Sequence, residues 1–252
     1  MKEKLYTIPI NDAVDAHDEC PFCFIERKIE QDTMDFVLGN SSSYMESDIR
    51  DMTDRAGFCK LHFKKMFDYG NTLGNAWILK THYLRKIDEL TKVFDSYVPE
   101  KSSLKSKLMK RPSGENAIVN YLEKEKSSCF ICSKYQDTYN RYMDTFFYMY
   151  TQDEVFRTKI LNSKGFCLSH FGDLCKSADI YLNDKQREAF YVDMRLIMLE
   201  NMKRVYEDVA WLVEKFDYKN HNADWKTSKD ANQRGMQKMK GGYPSDPVYK
   251  SH

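Results

Sequence analysis

The chain has 252 residues, 42% of them hydrophobic and 14% aromatic, with 39 Lys and Arg against 38 Asp and Glu. That apolar content supports packed cores and excludes disorder over most of the length. A net charge of +1 excludes a whole-molecule field that draws in nucleic acid or an anionic membrane.

In chain order, the opening Met1-Lys-Glu-Lys-Leu-Tyr-Thr-Ile-Pro-Ile10 lacks the apolar run of a signal peptide. No later segment approaches about 18 uninterrupted apolar residues, so a cytoplasmic, non-membrane protein is expected. Scarce Gly and Pro, 10 and 6 residues, favour helices over strands and turns. Cys20-Pro-Phe-Cys23 comes first, then Gly57-Phe-Cys59-Lys-Leu-His62. Gly70-Asn-Thr72 marks one helix end and a new start, with Asn71 or Thr72 as N-cap. Trp77, Leu84, Ile87, Leu90 and Phe94 step at helical intervals and predict a helix with a buried stripe. Residues 98–114 read as a linker, made basic by Lys101, Lys105, Lys107, Lys110 and Arg111.

The second half opens on Cys129-Phe-Ile-Cys132, followed by the stripe Tyr135, Tyr139, Tyr142, Phe146 and Tyr150. Gly165-Phe-Cys167-Leu-Ser-His170 leads to a long helical pattern through Phe190, Met194, Ile197, Leu199, Val205, Val209 and Leu212. The tail from 219 is polar, with a short helix expected from about Ser228-Lys-Asp230 to Gly241-Gly242.

The chain is written twice. Cys20 and Cys23 shift by 109 residues onto Cys129 and Cys132, and Cys59 and His62 by 108 onto Cys167 and His170. Gly57, Phe58 and Phe63 land on Gly165, Phe166 and Phe171. The expected architecture is therefore all-α: a first helical repeat over 1–97, the linker, a second repeat over 115–218 and the tail over 219–252, packed with pseudo-twofold symmetry.

Six of seven cysteines fall in these motifs, each set completed by a histidine. Cysteines two apart, and a Cys and a His three apart on a helix, can turn their donors to one centre. The inventory is two Cys3His sites, most simply for two Zn2+, with metal ligands Cys20, Cys23, Cys59, His62, Cys129, Cys132, Cys167 and His170. Pairing within each repeat is the simplest assignment; a crossed arrangement is the alternative that sequence leaves open. Redox-active CxxC pairs want a thioredoxin-like βαβ context that the pattern lacks. Buried structural cysteines do not account for the accompanying histidines, and an iron–sulfur cluster with a His ligand is the minor alternative. A closed four-ligand shell leaves no position for water, which favours a structural metal over a catalytic one. Structural zinc is worth roughly 10–16 kcal/mol in small peptides, comparable to the ~5–15 kcal/mol stability of a domain.

The repeat also serves as a control on other residues. Cys175 aligns with Phe67 and reads as core; His82 aligns with Phe190 and reads as a partly buried helix residue. His17, close to Cys20, is a substitute ligand at most, and His221 and His252 lie in the unrepeated tail. The run Arg141-Tyr-Met-Asp-Thr-Phe-Phe-Tyr-Met-Tyr150 reads as helical core. Glu46, Asp48, Asp51 and Asp54 read as a solvated helix face, and Arg50 and Arg157 as ion-pair partners.

The motifs from Lys4-Leu-Tyr-Thr-Ile-Pro-Ile-Asn11 through Ser43-Tyr-Met-Glu-Ser-Asp-Ile-Arg50, Gly57-Phe-Cys59 and Gly165-Phe-Cys167 to Lys215-Phe-Asp-Tyr-Lys219 and Trp225-Lys-Thr-Ser-Lys-Asp-Ala231 resemble a bacterial family, domain of unknown function 6062. The resemblance spans nearly the whole chain and implies no activity. It implies that the tail belongs to the folded protein, with Trp225 and Arg234 docking onto the helical body.

The resulting expectation is a two-zinc helical protein with a binding or scaffolding role toward a protein partner, more a non-enzyme than an enzyme. An enzyme with a site in the inter-repeat cleft or at one metal is the first rival, which asymmetry between the two sites would favour. Nucleic-acid binding through the basic linker and tail, and thiol-based sensing of zinc or oxidants, are the others. Oligomeric state is not legible.

Overall fold

The computed structural model describes residues 6–39, 43–98, 116–242 and 244. Every regular element among them is helical. The helices are α1 (Thr7–Asp15), α2 (Pro21–Leu38), α3 (Ser47–Ala56), α4 (Lys60–Tyr69), α5 (Thr72–Ser96), α6 (Ala117–Ser127), α7 (Phe130–Gln152), α8 (Glu154–Leu161), α9 (Leu168–Tyr181), α10 (Asp184–Glu214) and α11 (Ala231–Lys240), with single 3-10 turns at Ser43–Met45 and Tyr218–Asn220. No helix among the described residues is long and apolar enough to cross a membrane. The expected linker lies outside the described residues apart from Val98.

Local sequence sets most boundaries. α4 ends where Gly70 takes φ +88°, and Asn71 then caps α5 by accepting the Gly74 N–H. Asn116 accepts from the Ile118 and Val119 N–H groups at the start of α6, and Asp153 does the same for Val155 and Phe156 at α8. Asn183 and Gln186 form a capping box on α10. The tail helix begins after Asp230 and stops at Gly241, φ +84°.

The chain forms two compact units, cut differently from the two copies read in the sequence. Among the described residues, one comprises those up to Glu30 together with those from Gln136 onward, and the other those from Gln31 to Tyr135. In the first unit the core is aromatic. Phe146 packs on Phe22, Phe147, Tyr150, Phe156 and Phe166, and Phe147 meets Phe190. The Tyr142–Tyr150 run is therefore core, as its spacing predicts. Arg157 on α8 reaches Asp193 on α10 at 2.7 Å, and Asp193 also accepts from the Tyr150 hydroxyl. In the second unit the core is Met34, Val37, Leu38, Tyr44, Phe58, Met66, Tyr69, Ile78, Phe130 and Ile131. There Lys86 on α5 bridges Glu89 and Glu125, both at 2.8 Å, tying α5 to α6.

Two sequence expectations need correction. Trp77 is partly buried, but Leu84, Ile87 and Phe94 are exposed, so helical spacing placed them on one face without placing that face in a core. Leu199 of the α10 stripe is likewise exposed. Among the acidic residues, Asp51 pairs with Arg85 at 3.1 Å, while Asp54 is buried and accepts from the Thr81 hydroxyl at 2.8 Å, so the face is not uniformly solvated. Arg50 donates to the Tyr44 and Met45 carbonyls, holding the 3-10 turn to α3.

Candidate metal centres

All eight proposed ligands stand at helix starts. Cys59 and Cys167 are the N-cap residues of α4 and α9, and His62 and His170 lie three residues on, in the first turn. Cys20 and Cys129 immediately precede α2 and α7, again with a cysteine three residues later. These are the positions a capping box uses, because an N-cap side chain and the third helical residue face each other across the first turn. Sulfur takes over that role: Cys167 Sγ accepts from the His170 N–H at 3.4 Å, and Cys129 Sγ from the Cys132 N–H at 3.5 Å. Unpaired N–H groups and the positive end of the helix dipole favour thiolate at all these positions.

The loops that deliver the Cys–His pairs share one backbone. Gly57 and Gly165 have φ of +59° and +73°, and Cys59 and Cys167 follow at φ −72°, ψ 164° and φ −73°, ψ 160°. Phe58 and Phe166, between them, are buried and anchor each loop. His82 stacks against Gly57 and faces the Asp54 carbonyl through Nδ1 at 3.0 Å; it holds the end of α3 and belongs to no ligand group.

The pairing is crossed. Cys20 and Cys23 join Cys167 and His170, while Cys59 and His62 join Cys129 and Cys132. The assignment of each ligand set to its own half of the chain is thereby overturned: each cluster takes its CxxC from one half and its CxxH from the other. Each lies wholly within one compact unit.

The distances suit a shared ion. In the first centre His170 Nδ1 lies 3.4 Å from Cys20 Sγ, 3.4 Å from Cys23 Sγ and 3.2 Å from Cys167 Sγ, with Cys23 and Cys167 sulfurs 3.8 Å apart. In the second, His62 Nδ1 lies 3.3 Å from Cys59 Sγ, 3.2 Å from Cys129 Sγ and 3.4 Å from Cys132 Sγ, and Cys59 and Cys132 sulfurs are 3.9 Å apart. A zinc tetrahedron with ordinary Zn–S and Zn–N bonds has edges of about 3.8 Å between sulfurs and about 3.5 Å from sulfur to nitrogen. A disulfide needs about 2.05 Å, and all seven cysteines are free thiols.

The electrostatics point the same way. Hydrogen bonds from Cys20 and Cys23 take the Cys167 thiol far below its ordinary range, and the same contacts push Cys23 far up. Burial opposes the charge on His170, but Cys167 and Cys20 outweigh it and carry the imidazole up to about 10. Burial also raises Cys129, yet His62 and two backbone N–H groups bring it down to about 6, while burial and Cys129 push Cys132 up to about 12. In each group one thiol is thus pushed down and another up by the same crowding, and a central divalent cation would favour thiolate at both.

Outer contacts differ between the centres. Behind His170, Glu26 Oε2 lies 3.7 Å from Nε2, the place of a carboxylate that orients a ligating imidazole. Beside Cys20, the buried Glu19 carboxylate meets Arg204 at 2.5 Å and Lys238 at 3.3 Å, and Lys238 also donates to the Glu19 carbonyl at 2.6 Å. Arg234 pairs with Asp208 at 2.8 Å, and Gln237 donates to Asp18 at 2.6 Å. Sequence reasoning named Arg234 as a docking residue but missed Gln237 and Lys238; a Gln and a Lys on a polar helix carry no signal of burial. Trp225 is partly exposed, with the Lys215 ammonium 4.9 Å above its ring.

The remaining candidates fall outside both groups. Cys175 is half-buried and its aligned residue Phe67 is exposed, so neither is core. His17 is exposed at φ +52°, and His221 sits beside Asn222 on the surface. His252 lies outside the described residues, as do the basic residues of the linker.

The chain belongs to the family of unknown function DUF6062, whose model matches residues 1–246. Neither the curated proteins nor the solved structures contain a match.

Proposed function

We propose that this is a cytoplasmic zinc protein whose two Cys3His centres organise its helices, and whose role is to present a helical surface to a protein partner. The observation that carries the reading is the convergence of eight donors, from four helix starts, into two groups with the edge lengths of zinc tetrahedra. A Cys3His shell is closed, which supports a structural rather than a catalytic ion, and three thiolates with one imidazole favour zinc over harder cations. Cysteines held as free thiols in patterned groups fit a reducing compartment.

The duplicated motifs and the matching Gly-Phe-Cys loops support descent from one unit used twice. In the first centre Cys20, Cys23 and Cys167 supply the charge and His170 the nitrogen, with the Glu26 carboxylate 3.7 Å behind the ring; in the second, Cys59, Cys129 and Cys132 act with His62. Elemental analysis of protein purified under reducing conditions tests the proposal. Two zinc equivalents per chain, and tetrahedral thiolate spectra after cobalt exchange, are expected. A folded protein that retains no metal sinks it.

A further inference from the structure

The two centres share a ligand set but not an environment. In the first, Cys20, Cys23 and Cys167 are 0% exposed and His170 5%. The C-terminal end of α11 lies directly over them: a Cβ on Gly241 would stand 3.4 Å from Cys167 Sγ and 3.5 Å from Cys23 Sγ. The backbone there runs against both sulfurs, and its φ of +84° is one that residues other than glycine adopt at a cost. Two contacts pin this strap. Ser169, inside the Cys-Leu-Ser-His motif, donates its hydroxyl to the Lys240 carbonyl at 3.0 Å, and Lys238 is buried against Glu19. The other copy of the motif has Leu61 where Ser169 stands, and Leu61 is 58% exposed. In that second centre Cys132 is exposed and Cys59 half-exposed, while His62 and Cys129 are buried. Lys60 and Lys134, both exposed, stand one residue after Cys59 and two after Cys132 in the chain.

We propose that the second centre is an exchange site, at which zinc passes to and from an anionic thiolate acceptor through Cys132, while the strap Lys238–Gly241 seals the first. The inference rests on the zinc reading above. Cys59, His62, Cys129 and Cys132 would hold the ion; transfer would begin with Cys132 giving way to the acceptor's thiolate and be complete only when the other three donors had been replaced in turn, each freed cysteine taking a proton from solvent. No electrons move. The positive charge of these neighbouring lysines favours an anionic donor, and zinc favours a soft one. In the first centre the approach of a fifth donor is blocked by backbone, so exchange there waits for the strap to lift.

Zinc-loaded full-length protein challenged with the chromogenic chelator 4-(2-pyridylazo)resorcinol, with iodoacetamide labelling read by peptide mass, tests this. One equivalent is expected to leave at least tenfold faster than the other, with label appearing first on Cys132 and Cys59. Cys132→Ser removes the fast equivalent and leaves the slow one. Ser169→Ala quickens the slow phase a few-fold, and Lys238→Met by more, with the fast phase unchanged. Should both equivalents leave at one rate, or the first label fall on Cys20, Cys23 or Cys167, exchange at the second centre is disproved while the zinc reading stands. Protein that retains no zinc overturns both. The labelling arm needs no variant, so a substitution that fails to fold leaves the result readable.

Discussion

At Gly165 φ is +73° and a Cβ would meet Ile197 Cγ2 at 3.0 Å; at Gly57 φ is +59° and the obstacle is the His82 ring, 2.9 Å away. Each glycine turns the chain into a ligand-bearing helix while α10 or α5 packs against the turn. Gly165→Ala combines a strained backbone with a contact that must yield, so a loss of about 1–3 kcal/mol is expected in urea denaturation. Glu26 offers a separate test at the same scale. Glu26→Gln replaces the carboxylate facing His170 Nε2 by a neutral amide, and, on the zinc proposal, affinity at the first centre is expected to fall by roughly 10–100-fold in competition with a chelator. The eight clustered donors were legible because Cys and His at such intervals serve few purposes besides holding a metal. Glu26 was not, since a glutamate on a helix is ordinary until an imidazole is placed beside it.

Among elements, the pairing of α5 with α6 depends on charges that titrate. Glu89 accepts from Lys86, Arg85 and the Tyr121 hydroxyl; burial alone raises its pKa, but these three contacts outweigh it and bring it down to about 2. A carboxyl lowered on folding stabilises fully above its ordinary value near 4.5 and loses that contribution as pH falls toward 2. Glu89→Gln is therefore expected to narrow the stability gap between pH 6 and pH 3 relative to the parent, measured by denaturation at each pH. An unchanged gap argues that the network contributes nothing. Helix positions and caps were readable at this scale: Asn71, Gly70 and the end of α11 fall where residue type put them. The burial of faces was less so. Leu84, Ile87 and Phe94 have the spacing of a core stripe, and spacing carries no information about whether a neighbour arrives to cover it.

For the whole molecule, removal of the proposed zinc is the decisive perturbation. Three thiols and an imidazole crowded at helix starts hold together best around a cation, so chelation is expected to lower thermal stability by a margin far larger than any single side-chain change. Because protons compete for the same sulfurs, zinc loss is also expected to advance as pH falls, which titration of bound metal would follow. Cys167→Ser and Cys59→Ser each remove a ligand from one centre, and calorimetry on both variants would show whether the two units melt separately. The motifs were legible and the pairing was not: spacing within a motif fixes which donors share a helix turn, but not which distant turn completes the set.

That crossing nests one closure inside the other. Cys23 must await Cys167, and between them lies the whole span from Cys59 to Cys132 that makes the second cluster. As the chain leaves the ribosome at some 5–20 residues per second, the inner four donors are all outside before the outer four are complete. The inner knot can tie first, and in tying it shortens the free loop the outer one has left to close. The order of assembly is thus written into the order of the residues.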